Sequence, residues 1–172
     1  FRSFYIILGL LSGLIARLYI VTLYWSEDYF EKNLNINPII KPAVGGFIVG
    51  CMAIFLPQIL GNGYETIDRA LNGQMVWYIT LILIFMKIIA TSITLGSGGS
   101  GGIFAPSLFI GAMLGGTFGS LVHSLFPAIT ATKGAYSLVG MGSVIAAAAH
   151  APMTNILILF ELTNDYKIIL PI

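Results

Sequence analysis

Apolar residues come in long blocks along this chain, separated by short polar or glycine-rich stretches. The first block runs from about Phe4 to Trp25, and Ser26-Glu27-Asp28-Tyr29-Phe30-Glu31-Lys32 continues it as a charged amphipathic segment. At 1.5 Å per residue, about 20 residues cross a hydrocarbon layer of roughly 30 Å, so this block predicts a spanning helix whose charged end lies at or beyond the interface. A second block extends from about Pro38 to Leu60, with Gly45, Gly46 and Gly50 allowing close helix approach and Pro57 acting as a kink or stop. A short polar helix at about 64–72, bounded by Gly63 and Gly73, cannot span.

The block from Met75 to about Leu95, interrupted by Lys87, is the strongest spanning candidate and leads directly into Gly96-Ser97-Gly98-Gly99-Ser100-Gly101-Gly102-Ile103-Phe104-Ala105-Pro106. Apolar residues resume from Ile103 to about Phe126, with Gly111, Gly115 and Gly119 four residues apart, a spacing suited to tight packing between membrane helices. Pro127 stops this segment, and Thr130 to Gly134 makes a polar connection. The remainder is broken: Ala135 to Ala149 is rich in small residues, His150-Ala151-Pro152 interrupts, Met153 to Leu162 covers half a membrane, and Thr163 to Lys167 is polar again. The pattern predicts an all-α membrane protein of tilted, unequal and discontinuous helices, as in transporters and channels.

Composition agrees. The 172 residues are 57% hydrophobic and 9% charged, against about 25% charged in ordinary soluble domains, and the mean hydropathy is +0.92. A net charge of +1 with scattered basic residues gives no surface for nucleic acid. Cys51 is the single cysteine, so neither a disulfide nor a thiolate metal site can form within the chain, and its apolar neighbours predict a buried, inert thiol. His123 and His150 are too far apart for a local metal pair and read as helix-end residues. The abrupt ends at Phe1 and Ile172 predict a fragment of a longer membrane protein.

Irregular backbone at membrane depth is costly unless it is enclosed by protein or lines a polar cavity, because each unsatisfied N–H or C=O costs several kcal/mol in hydrocarbon. The glycine loop at 96–106 therefore marks the candidate site. Gly96 to Gly101 matches the dinucleotide pattern G-x-G-x-x-G, but that fingerprint requires a preceding strand and an acidic residue about 20 positions on. Here a spanning segment precedes it, and no Asp or Glu occurs between Asp68 and Glu161. A phosphate-binding loop fails as well, since no Gly-Lys-Ser/Thr follows. A plain Gly/Ser linker remains an alternative. Pro106 suits the first turn of a helix starting around Gly102 to Phe104. The first N–H groups of that helix, including those of Ile103 and Phe104, lack intrahelical acceptors, and the macrodipole places roughly half a positive charge there. The arrangement attracts an anion without a full cation; a helix start capped by water or protein is the bland alternative.

Gly102-Ile103-Phe104-Ala105-Pro106 resembles the G-x-F-x-P anion-binding motif of the CLC family of chloride channels and proton-coupled chloride transporters. The likeness extends over Gly96 to Gly116, Gly140-Met141-Gly142, Ala151-Pro152-Met153-Thr154 and Glu161 to Tyr166, most of the chain, and looks bacterial. It implies that residues 1–172 are the second half of an inverted-repeat membrane domain, cut before its last helix. It also implies an anion site at Gly102, Ile103, Phe104, Ala105 and Pro106, with the amides of Ile103 and Phe104 on the ion and the Phe104 ring shaping the constriction. By the same resemblance the protein is a homodimer in a lipid bilayer, in a bacterial inner membrane, with Met153, Ile156 and Ile169 at the apolar dimer contact. Its gating glutamate, pore serine and pore tyrosine belong to the missing first half and last helix. Gly96-Ser97-Gly98 does not replace the serine loop, because it lacks the proline.

The expected function is transport of chloride and similar monovalent anions, as channel or H+/Cl- exchanger, without catalysis, cofactor or metal; chloride is the substrate. Another broken-helix transporter and a non-conducting assembly half remain alternatives. Lys87 either concentrates anions or plays a structural part by snorkelling or pairing with a carboxylate or helix end. Glu161 reads as structural at a helix junction, and Glu27, Asp28 and Glu31 as a solvated face.

Overall fold

A computed structural model of the chain describes residues 2–127 and 130–149, and no strand occurs among them. The elements are α1 (Arg2–Lys32), α2 (Lys41–Phe55), a 3-10 turn (Pro57–Ile59), α3 (Tyr64–Leu71), α4 (Trp77–Gly96), α5 (Phe104–Leu125) and α6 (Lys133–Ala149). Among these residues three helices, α1, α4 and α5, are long and apolar enough to cross a membrane. His150, Met153, Ile156, Glu161 and Ile169 lie outside the described residues.

The helices are unequal because punctuation differs from block to block. The first apolar block and its charged continuation form one helix of 31 residues, α1. Glu27, Asp28 and Glu31 are exposed on its last turns, and Lys32 reaches back to Asp28 at 3.0 Å. The second block is shorter than its hydrophobicity suggests. Instead of filling 38–60, α2 has 15 residues, with Pro42 in its first turn, and a turn closed by Ile40 N–H to Asn37 O precedes it. At Leu56, before Pro57, the backbone leaves the helix (φ −135°), since a proline clashes with helical geometry in its predecessor. At ~22 Å, α2 alone is shorter than the hydrocarbon core. Only Gly45 of its three glycines makes a close approach, to Ser97; Gly46 and Gly50 face open space. Cys51, expected to be buried, is exposed on this helix.

The most enclosed span is α5, buried on nearly every side from Phe109 to Thr117. It packs most extensively on α6 and next on α4, while α1 lies across α4 and α6. Glycine sets the α5–α6 distance. A Cβ on Gly115 would collide with the Tyr136 carbonyl oxygen, one on Gly111 would sit 2.6 Å from Met141 Cα, and one on Gly119 would lie 3.0 Å from the Tyr136 ring. Gly140 answers from α6, where a Cβ would collide with Gly111 O. The four-residue glycine period is thus the contact stripe itself. On the other flank the Thr80 and Thr117 hydroxyls meet at 2.7 Å between α4 and α5, and each also lies 2.8 Å from a carbonyl oxygen of its own helix, so one of the two shares its proton between both acceptors.

Candidate functional site

The glycine loop begins as a helix cap. Gly98 adopts φ +85°, its N–H bonds to Leu95 O at 3.0 Å, and the Gly99 N–H bonds to Thr94 O at 2.9 Å. This pair of bonds around a left-handed residue is a Schellman cap, which returns the last carbonyls of α4 to hydrogen bonding. Gly96 lies against α1, where a Cβ would come 2.8 Å from the Ser26 carbonyl carbon. Ser97 is buried and donates its hydroxyl to Thr94 O. A plain flexible linker does not fit this geometry: the Gly/Ser portion ends one helix and aims the chain at the next.

Ile103 is the N-cap of α5, and Phe104, Ala105 and Pro106 form its first turn. The first bond of that turn runs from Ser107 N–H to Ile103 O at 3.1 Å, with the Ser107 hydroxyl on the same oxygen. The N–H groups of Ile103, Phe104 and Ala105 have no acceptor among the described residues. Pro106, which has no N–H, occupies a position where one would be unpaired anyway. No side chain caps this end. Three consecutive N–H groups at the positive end of a 22-residue helix are therefore unpaired among the described residues.

Beside this helix start lies a cavity of about 520 Å³ bounded by the 3-10 turn and its exit, one face of α4 and the start of α5. Gly102, Phe104, Ala105 and Pro106 line it together with Ser100 and Gly101; Ile103 does not. Ile103 instead borders a separate cavity of about 310 Å³ with Tyr19, Leu23 and Ala148. Phe104 is 49% exposed and Ile103 41%, so the helix start forms an edge of the described chain. From α4 come Lys87, Ala90, Thr91 and Thr94, and from the turn region Ile59, Gly61 and Asn62. Spacings of three and four residues carry the α4 members along one helix face. That periodicity is legible in the sequence once Lys87 is taken as its anchor.

Lys87 is 2% exposed. Its ammonium donates to Ile59 O at 2.8 Å and to Gly61 O at 2.7 Å, and lies 5.0 Å from the centre of the Phe109 ring. Phe109 in turn is covered by Gly63, whose φ of +71° starts α3 and where a Cβ would strike the ring 2.6 Å away at Cε2. At the far end of α5, His123 pairs with Thr130 at 3.0 Å. No group of acidic, histidine or cysteine side chains suited to a metal occurs among the described residues.

Residues 3–172 match the family described as voltage gated chloride channel. A H(+)/Cl(-) exchange transporter of Vibrio campbellii is 33% identical over 98% of this chain and 36% of its own length. Chloride channel protein CLC-f of Arabidopsis thaliana is 35% identical over 98% of this chain and 23% of its own. Among solved structures, a slow cyanobacterial Cl-/H+ antiporter superposes with a TM-score of 0.86 at 29% identity, covering 99% of this chain and 40% of the antiporter's. The chain thus spans well under half the length of these relatives.

Proposed function

This chain belongs to the voltage-gated chloride channel family, and on that footing we propose that it supplies one wall of a membrane pathway for chloride and similar monovalent anions. The observation that carries the reading is the run of three free N–H groups at Ile103, Phe104 and Ala105, opening beside a cavity whose lining holds no carboxylate. An anion leaving water needs donors to replace its hydration shell. Fixed backbone dipoles provide them with partial charge, strong enough to admit the ion and weak enough to release it. Gly102 lets the chain approach without a side chain in the way, and Pro106 holds the first turn while adding no competing donor. The Phe104 ring borders the same space and restricts its width.

The remaining walls come from the first half and last helix of the same protein, and a second copy completes a homodimer through Met153, Ile156 and Ile169. The whole sits in a lipid bilayer, in a bacterial inner membrane. The process requires no covalent step, no cofactor and no metal; chloride is carried unchanged.

Isotopic chloride uptake into liposomes containing the full-length protein tests the reading. Saturable uptake, slowed by competing monovalent anions, is expected, and acceleration by an opposing proton gradient would identify an exchanger in place of a channel. Uptake no faster than in protein-free liposomes, from protein that remains folded, would overturn it.

A further inference from the structure

We propose that Lys87 is a positioning residue for the anion: it holds two carbonyl oxygens of the cavity wall away from the ion while its own positive charge has no carboxylate partner among the described residues. The proposal rests on the anion reading of the same cavity. Ile59, Leu60 and Gly61 all border that space, and any carbonyl oxygen directed into it would repel an anion. The ammonium of Lys87 accepts the task of turning two of them, Ile59 O at 2.8 Å and Gly61 O at 2.7 Å.

Carbonyls satisfy hydrogen bonds but do not cancel a unit charge. No salt bridge reaches Lys87 among the described residues, and the chain has no Asp or Glu from Arg69 through Phe160. A buried ammonium without a counter-charge is costly, and intramembrane ionisable groups generally line a pathway or find a partner. The Phe109 ring, 5.0 Å from Nζ, offers partial compensation through its π face. Phe109 stands five residues beyond Phe104, about 7.5 Å along α5, which brings the ammonium to the same end of that helix as the free N–H groups. An anion at the helix start then supplies the counter-charge that the described residues do not. Substituting a neutral side chain removes the charge and frees both carbonyls, and the two changes weaken anion binding in the same direction.

The test is calorimetric chloride titration of the full-length protein at fixed ionic strength, comparing wild type with Lys87→Met, Lys87→Gln and Lys87→Arg. Lys87→Met and Lys87→Gln should each bind chloride about tenfold more weakly, with Lys87→Arg within about threefold of wild type because its guanidinium keeps both charge and donors. A merely structural lysine predicts lower melting temperatures with unchanged chloride affinity, and that result in either neutral variant overturns the proposal. Should both neutral variants fail to fold, Lys87→Arg still tests it: a tenfold loss of affinity despite the retained charge overturns it. Absence of chloride binding by the wild type would instead sink the anion reading itself.

Discussion

Single backbone groups decide what the start of α5 can do. Ala105 is the second residue of that helix, and its N–H bonds to nothing in the described chain. Replacing it with proline deletes the donor while proline remains tolerated in a first turn. A hydrogen bond to a charged partner contributes about 1.5–3 kcal/mol, so Ala105→Pro should bind chloride at least tenfold more weakly in calorimetric titration of the full-length protein. Ala105→Gly, which keeps the N–H, should stay close to wild type. Equal affinities for the two variants would show that this amide does not touch the ion. The residues of the helix start were legible in the sequence, because Gly102 and Pro106 restrict the backbone locally and the orphan donors follow from helix geometry. The acceptors of Lys87 were not, since Ile59 and Gly61 lie 28 and 26 positions away and no local rule connects them. Nor could the exposure of Cys51 be read from its apolar neighbours, which in a membrane helix face lipid or protein alike.

At the scale of elements, the α5–α6 seam depends on the absence of side chains. Gly115→Ala puts a methyl group against the Tyr136 carbonyl oxygen, backbone that cannot rotate away; overpacking of this kind costs about 1–3 kcal/mol. The full-length variant should therefore melt several degrees lower in a detergent thermal-stability assay. Gly46→Ala, in a similar apolar helix but with nothing within 4 Å, should melt within a degree of wild type. Matching losses at both sites would remove the distinction drawn between these glycines. Sequence spacing identified the 111, 115, 119 stripe because a four-residue period keeps one face. It failed for α2, where hydrophobicity from Pro38 to Leu60 concealed a turn at each end, and where three glycines in six positions did not reveal which one faces Ser97. The ends of α4 and α5 were easier, since the Gly98 cap and Pro127 interrupt helix geometry directly and Pro106 suits only a first turn.

For the molecule as a whole, the described chain carries large apolar side chains on its outside, among them Ile39, Phe47, Ile54 and Phe55 of the α2 region and Leu10, Leu14 and Trp25 of α1. Surface of this kind is matched by lipid or by further protein. Liposomes containing residues 1–172 alone are expected to show no selective chloride uptake, because one helix end surrounds only part of an ion; selective flux from them would contradict the single-wall reading. Ile169→Trp in the full-length protein is expected to shift cross-linked dimers toward monomers by overpacking the proposed contact, and an unchanged dimer fraction would relocate that contact. The interlocked glycines of α5 and α6 also have a mechanical consequence. Two helices whose backbones lie this close at Gly111, Gly115 and Gly140 are expected to move together, as a stiff strut that begins at the unpaired N–H groups of Ile103, Phe104 and Ala105. On the proposed function, opening and closing would fall to parts that move against this strut, and amide hydrogen exchange of the full-length protein should be slowest along the shared seam with or without chloride present.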